Sequence, residues 1–132
     1  MSEDNDAVEW SEDGLTIRKA VLGADYVENS IKNADDFTRP LQEISTNFAW
    51  GWLWTREEHM PRKMRSLLNL AFLTALNRPH ELEMHLRGAL RNGVTKEEIR
   101  EVFLQAAVYC GFPASVDAHR TAKKVFAEEG IE

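Results

Sequence analysis

The chain has one cysteine, Cys110, in 132 residues, which rules out a disulfide within one copy and suits a reducing cytoplasm. A basic excess is also missing. Sixteen Lys and Arg against twenty-two Asp and Glu leave a net charge of −6, an unfavourable balance for phosphate backbones or anionic lipid. Neither nucleic acid nor a membrane is therefore an expected partner. No apolar run approaches the length that spans a bilayer. The acidic stretch Ser2-Glu3-Asp4-Asn5-Asp6 has no basic segment followed by an apolar one, so it reads as neither secretory signal nor presequence. Strand-like alternation and internal repeats are absent, and His59, His80, His85 and His119 form no metal-ligand cluster.

What is present is helical. The length fits one domain, with residues 1–13 as an acidic arm that can dock through Trp10 and residues 14–132 as an all-α domain of about six to seven helices. Leu15, Arg18, Lys19 and Leu22 mark a short first helix ending at Gly23, and Tyr26, Val27 and Ile31 line a second. Asp35 or Asp36 is placed to cap a third, in which Phe37, Leu41, Ile44, Phe48 and Trp52 recur at the spacing of an apolar face. Pro61 opens a fourth, whose Met64, Leu67, Leu68, Ala71, Phe72, Ala75 and Leu76 span an arc wide enough to predict burial on more than one side. Pro79 starts a fifth that stops at Asn92-Gly93. Thr95-Lys96-Glu97-Glu98 is a capping box that launches a sixth through Ile99, Val102, Phe103, Ala106 and Ala107. Gly111-Phe112-Pro113 breaks it and begins a last helix, with Ala118, Ala122, Val125 and Phe126 inward. This is more apolar surface than one small core absorbs, which predicts self-association.

Glu81 and His85 are the leading catalytic pair. Four residues apart on a helix, they project from one face, and a carboxylate beside an imidazole favours the charged ring, predicting a pKa above the ordinary 6.5. An ordinary surface pair has the same spacing.

Five segments, in order, carry a resemblance. Trp50-Gly51-Trp52-Leu53-Trp54-Thr55-Arg56, Arg65-Ser66-Leu67, Glu81-Leu82 with His85, Asn92-Gly93-Val94-Thr95 with Glu98-Ile99, and Tyr109-Cys110-Gly111-Phe112-Pro113-Ala114 resemble the 4-carboxymuconolactone decarboxylases, over about residues 22–126. The resemblance implies an alkylhydroperoxidase D-like helical subunit in a homo-oligomer, a hexamer or trimer. It also implies cofactor-free conversion of 4-carboxymuconolactone to 3-oxoadipate enol-lactone in the β-ketoadipate pathway. The superfamily's redox branch carries Cys-x-x-Cys-x-x-x-His; aligned on His85, its cysteines fall on Arg78 and Glu81. Cys110 alone cannot supply both an attacking and a resolving thiol, so a thiol-dependent peroxidase is the lesser reading, beside a non-catalytic oligomer that binds a small acid.

The decarboxylation fits the residue types. The electron pair released with carbon dioxide flows through the ring double bond to the lactone carbonyl, so the substrate carries its own electron sink and no cofactor is expected. The protein must hold a dianion and return a proton to carbon. Among Arg39, Arg56, Arg62, Arg65 and Arg78, the expected anchor is Arg65, with Arg62 one turn before it, because a guanidinium fork matches a carboxylate. His85 is the expected proton carrier, oriented by Glu81, with His80 and His119 as lesser candidates. Trp50 and Trp54 read as core or as pocket wall, and Cys110 as a buried filler that can line the site without acting as a nucleophile. Glu57-Glu58-His59-Met60 stands where the decarboxylases usually have a Pro-Gly-Leu-type turn, which puts the exact substrate in question.

Overall fold

The computed structural model describes residues 9–132, so most of the acidic arm lies outside the described residues. These residues form seven α-helices and one π-helical stretch, with no strand among them. The helices are α1 (Glu12–Leu22), α2 (Ala24–Lys32), α3 (Arg39–Ile44), α4 (Arg62–Ala75), α5 (Pro79–Arg91), α6 (Lys96–Cys110) and α7 (Phe112–Glu128), and Ser45–Leu53 is the π-helical stretch. The chain divides into two compact units, Met1–His59 and Met60–Glu132. No helix among the described residues is long and apolar enough to cross a membrane.

In the first unit, Ser11 caps α1 by accepting from the Gly14 N–H, so the helix begins before Asp13. Its buried stripe is Gly14, Ile17, Arg18 and Val21, and this stripe packs on the π-helical stretch. The approach is very close. A Cβ on Gly14 would lie 2.3 Å from the Thr46 carbonyl oxygen, so only glycine lets the two backbones meet. The unit's core is Ile17, Val21, Trp50 and Trp54.

The third predicted helix differs from expectation. Asp35 closes a turn by accepting from the backbone of Phe37 (3.0 Å) and Thr38 (2.9 Å), and α3 starts only at Arg39. Phe37, Leu41, Ile44, Phe48 and Trp52 are all exposed; the buried residues of the stretch are Thr46 and Trp50. For Phe48 and Trp52 the physical reason is the wider π turn, with bonds such as Trp54 N–H to Ala49 C=O, which carries residues four apart into stacks. Trp50 stacks on Trp54 with centroids 4.7 Å apart, and Phe48 stacks on Trp52 at 5.5 Å. A 3.6-residue period cannot tell which of those two apolar stacks faces inward.

The second unit is a four-helix bundle in which α4 packs on α5, α5 on α7, α7 on α6 and α6 on α4. Short connections make sequence neighbours antiparallel. The turn between α4 and α5 places Asn77 at φ 56°, a left-handed position that asparagine tolerates. The Asn92-Gly93 stop forms with Gly93 at φ 87°, and the Thr95–Glu98 capping box is made in both directions. Leu70, Leu82, Leu86, Ile99, Phe103, Ala118, Ala122 and Val125 fill the interior. The expected double-sided burial of α4 is not observed. It buries one stripe, Ser66, Leu70 and Thr74, and exposes Met64, Leu68, Phe72 and Leu76, because a four-helix interior covers only one arc of each member. The stripe's hydroxyls are satisfied: Asn92 donates to Ser66 Oγ at 2.9 Å, and Thr74 donates to the Leu70 carbonyl at 2.7 Å.

Candidate active site

Within the bundle, two flanks of α5 do different work. Glu83 and Arg87 lie toward α7, where Lys124 binds Glu83 at 3.2 Å and Arg87 pairs with Glu128 and Glu129. These partners hold the Glu83 carboxyl below the usual carboxylate range, with Lys124 the main cause. Glu81, His85 and the buried Gly88 occupy the other flank, which helical geometry turns toward α4.

The flanks of α4 divide in the same way. Met64, Leu67, Leu68 and Ala71 face α6 and line a cavity of about 400 Å³ with Val102, Gln105 and Tyr109. Arg62, Arg65 and Asn69 lie on the opposite flank, toward α5. By helical geometry, Glu81 and His85 on α5 and Arg62 and Arg65 on α4 lie on flanks turned toward one α4–α5 seam, with the two pairs at different levels along it. The Ser66–Asn92 hydrogen bond fixes the register of that hairpin. His85 precedes Asn92 by two turns, so it sits roughly 10 Å along the axis from the level of Arg65 at 1.5 Å per residue.

The electrostatics of His85 correct the sequence expectation. Burial pushes its pKa below 6.5, and the nearby Glu81 charge, which acts in the predicted upward direction, is the smaller effect. Burial therefore favours the neutral imidazole in the free protein. At Arg65 the Nε is buried without a hydrogen-bond partner, and the side chain has no carboxylate within 4.0 Å among the described residues.

The other candidates belong to other elements of the fold. Trp50 and Trp54 are core residues of the first unit. Cys110 is exposed rather than buried, because α6 ends there at the Gly111 break, and it lines the cavity on the α6 side of α4, away from the Arg65 flank. His80 is exposed in the first turn of α5, whereas His119 lines a cavity between α6 and α7. Arg56 is exposed over the Trp52 ring, 5.0 Å from its centroid. Glu57 and Glu58 are exposed, and Glu58 lies 3.6 Å from His59.

Arg18 was not foreseen. It is only 5 % exposed, donates from Nη1 to Thr46 Oγ1 at 2.9 Å, and has a buried Nε without a partner; no carboxylate pairs with it among the described residues. Burial lowers its pKa, but a guanidinium stays charged. The signal was available in the sequence, since Arg18 occupies a stripe position between Ile17 and Val21.

The pattern of the Carboxymuconolactone decarboxylase family matches residues 39–124. The chain is 49 % identical over 113 residues to a nitrosuccinic acid decarboxylase of Metarhizium robertsii, covering 86 % of this chain and 78 % of that protein. It is 45 % identical over 118 residues to a 4-carboxymuconolactone decarboxylase of Acinetobacter baylyi, covering 89 % and 87 %.

Arg18→Met and Arg65→Met each remove a charge that lacks a carboxylate while keeping most of the stem. Thermal melting is expected to show unchanged or higher midpoints, as for other uncompensated charges replaced by apolar groups. A loss of about 3 kcal/mol, the scale of a broken buried pair, would show instead that these guanidinium groups hold the fold together. On the family pattern and these two relatives together, this chain belongs to the carboxymuconolactone decarboxylase family.

Proposed function

We propose that this carboxy-lyase decarboxylates 4-carboxymuconolactone, or a close dicarboxylate analogue with its own electron sink, at the α4–α5 seam. What supports this reading is a half-buried imidazole whose pKa burial lowers and, on the flank of α4 turned toward the same seam, an arginine lacking an acidic partner among the described residues. Arg65 receives one carboxylate of the dianion, with Arg62 one turn away on the same flank. The negative charge brought in raises the His85 pKa, so His85 takes up a proton as the substrate binds.

The bond from the ring carbon to the departing carboxylate then breaks, and carbon dioxide leaves without the bonding pair. That pair moves through the ring double bond to the lactone oxygen. The imidazolium of His85 delivers its proton to the carbon next to the lactone carbonyl, giving 3-oxoadipate enol-lactone. Glu81 orients the ring and supports its charged form. The named substrate of the Metarhizium relative shares this logic: nitrosuccinic acid is a dicarboxylic acid whose nitro group can accept an electron pair. Two names with one chemistry support the class of substrate more strongly than either single acid.

The subunit also assembles with copies of itself into a hexamer or trimer. Val108, Tyr109 and Phe112 are 70 % or more exposed in the single chain, at the junction of α6 and α7, and one copy leaves them without apolar cover. Light scattering at micromolar concentration is expected to give a multiple of the subunit mass; a monomer would remove this part of the reading.

The enzymatic test is an ultraviolet assay with freshly generated 4-carboxymuconolactone, scored for substrate decay and carbon dioxide release. His85→Ala is expected to lower kcat by about 10² or more, the scale of a lost acid–base group, while Arg65→Met chiefly raises KM. Because the protonated ring is the active form, rates fall as pH rises. The limb of kcat/KM, set by the free protein, lies below pH 6.5, and the limb of kcat, set by the complex, lies higher. Activity that climbs with pH through 6.5 would make the neutral imidazole the active form and end the assignment.

A further inference from the structure

A second cavity, of about 300 Å³, opens between α6 and α7, and its lining comes from those two helices and Ile131, with nothing from α4 or α5. Its walls are Ile99, Phe103, Ala122 and Phe126, and its remaining lining includes three cations, Lys96, Arg100 and Lys123. None of the three has an acidic partner within 4.0 Å among the described residues, although the chain as a whole carries six more acids than bases. Lys96 extends along the apolar wall, its Nζ 5.5 Å from the centroid of the Phe126 ring. Lys96 and Arg100 are one turn apart on α6, and Lys123 reaches in from α7.

The far end of the cavity is fixed rather than loose. Ser115 donates to the Phe103 carbonyl at 2.6 Å, tying α7 to α6, and the His119 ring packs on Phe103 at 5.4 Å. His119 Nδ1 lies 2.7 Å from the Ser115 carbonyl oxygen. A carbonyl only accepts, so Nδ1 carries the proton and Nε2 is the ring's remaining polar atom. An apolar chamber of ligand size beside three cations without an acidic partner within 4.0 Å is complementary to one kind of molecule.

We propose that the α6–α7 cavity is a separate binding site for a small amphipathic monocarboxylate, its apolar body between Phe103 and Phe126 and its carboxylate among Lys96, Arg100 and Lys123. Charge complementarity selects the head group, and the chamber's volume and apolar walls select the body. The site is independent of the seam that holds His85, since no residue lines both.

Isothermal titration calorimetry with sodium octanoate on the purified protein tests this. Octanoate is expected to bind saturably at one per chain, and at least tenfold more tightly than 1-octanol, which has the same chain without the charge. The surface double variant Arg100→Gln with Lys123→Gln is expected to weaken binding tenfold or more, and Ala127→Trp, which fills the mouth from an exposed position, to abolish it. Binding is expected to persist in His85→Ala. Absence of saturable heat, equal affinity for the alcohol, or insensitivity to the double variant would overturn the proposal, as would loss of binding in a folded His85→Ala protein.

Discussion

At His85 two effects oppose each other, and burial exceeds the attraction of the Glu81 carboxylate. An imidazole already charged without ligand would gain only an ion partner when a dianion arrived. In the proposed reaction, one that is neutral at rest gains both a proton and an ion partner, so part of the binding energy goes into preparing the acid. Glu81 raises and burial lowers the readiness of that ring to take up a proton, and under the proposed reaction the ligand's charge completes the step.

The arginines follow the same logic. Glu83, Arg87, Lys124, Glu128 and Glu129 knit α5 to α7 in a closed set of pairs, so the fold's own ionic needs on that flank are met. Arg65 has been left out of such pairing on the other flank, and Arg18 is enclosed in the first unit with only a threonine hydroxyl for company. In an acidic chain, carboxylates are abundant, and cations kept away from them are positioned for anions from outside or tolerated for packing.

Much of the helical order was legible because it rests on local signals. Thr95 with Glu98, Asn92-Gly93 and Gly111-Phe112-Pro113 each act within a few residues, and the structure uses each as read. Apolar faces were less legible. Where a helix is apolar on two sides, as with Phe48–Trp52 against Trp50–Trp54, or with Leu68 and Phe72 against Leu70, the spacing gives both stripes and only tertiary packing chooses between them. The site shows the same division. The Glu81–His85 pair follows from spacing, but the sign of the His85 shift depends on desolvation by residues far away in sequence, which no local pattern carries. The stripe position of Arg18 beside Ile17 and Val21 is local, whereas its enclosure depends on the π-helical stretch that brings Thr46 against it.

The state of the His85 ring can be observed directly by following its Cε1–H signal against pH in histidine-labelled protein, assigned by its loss in His85→Gln, with and without saturating adipate as a stable dicarboxylate. A midpoint below 6.5 is expected in the free protein, with an upward displacement when the dicarboxylate is bound. A free-protein midpoint above 6.5, or one that adipate leaves in place, would contradict the proposed role of His85.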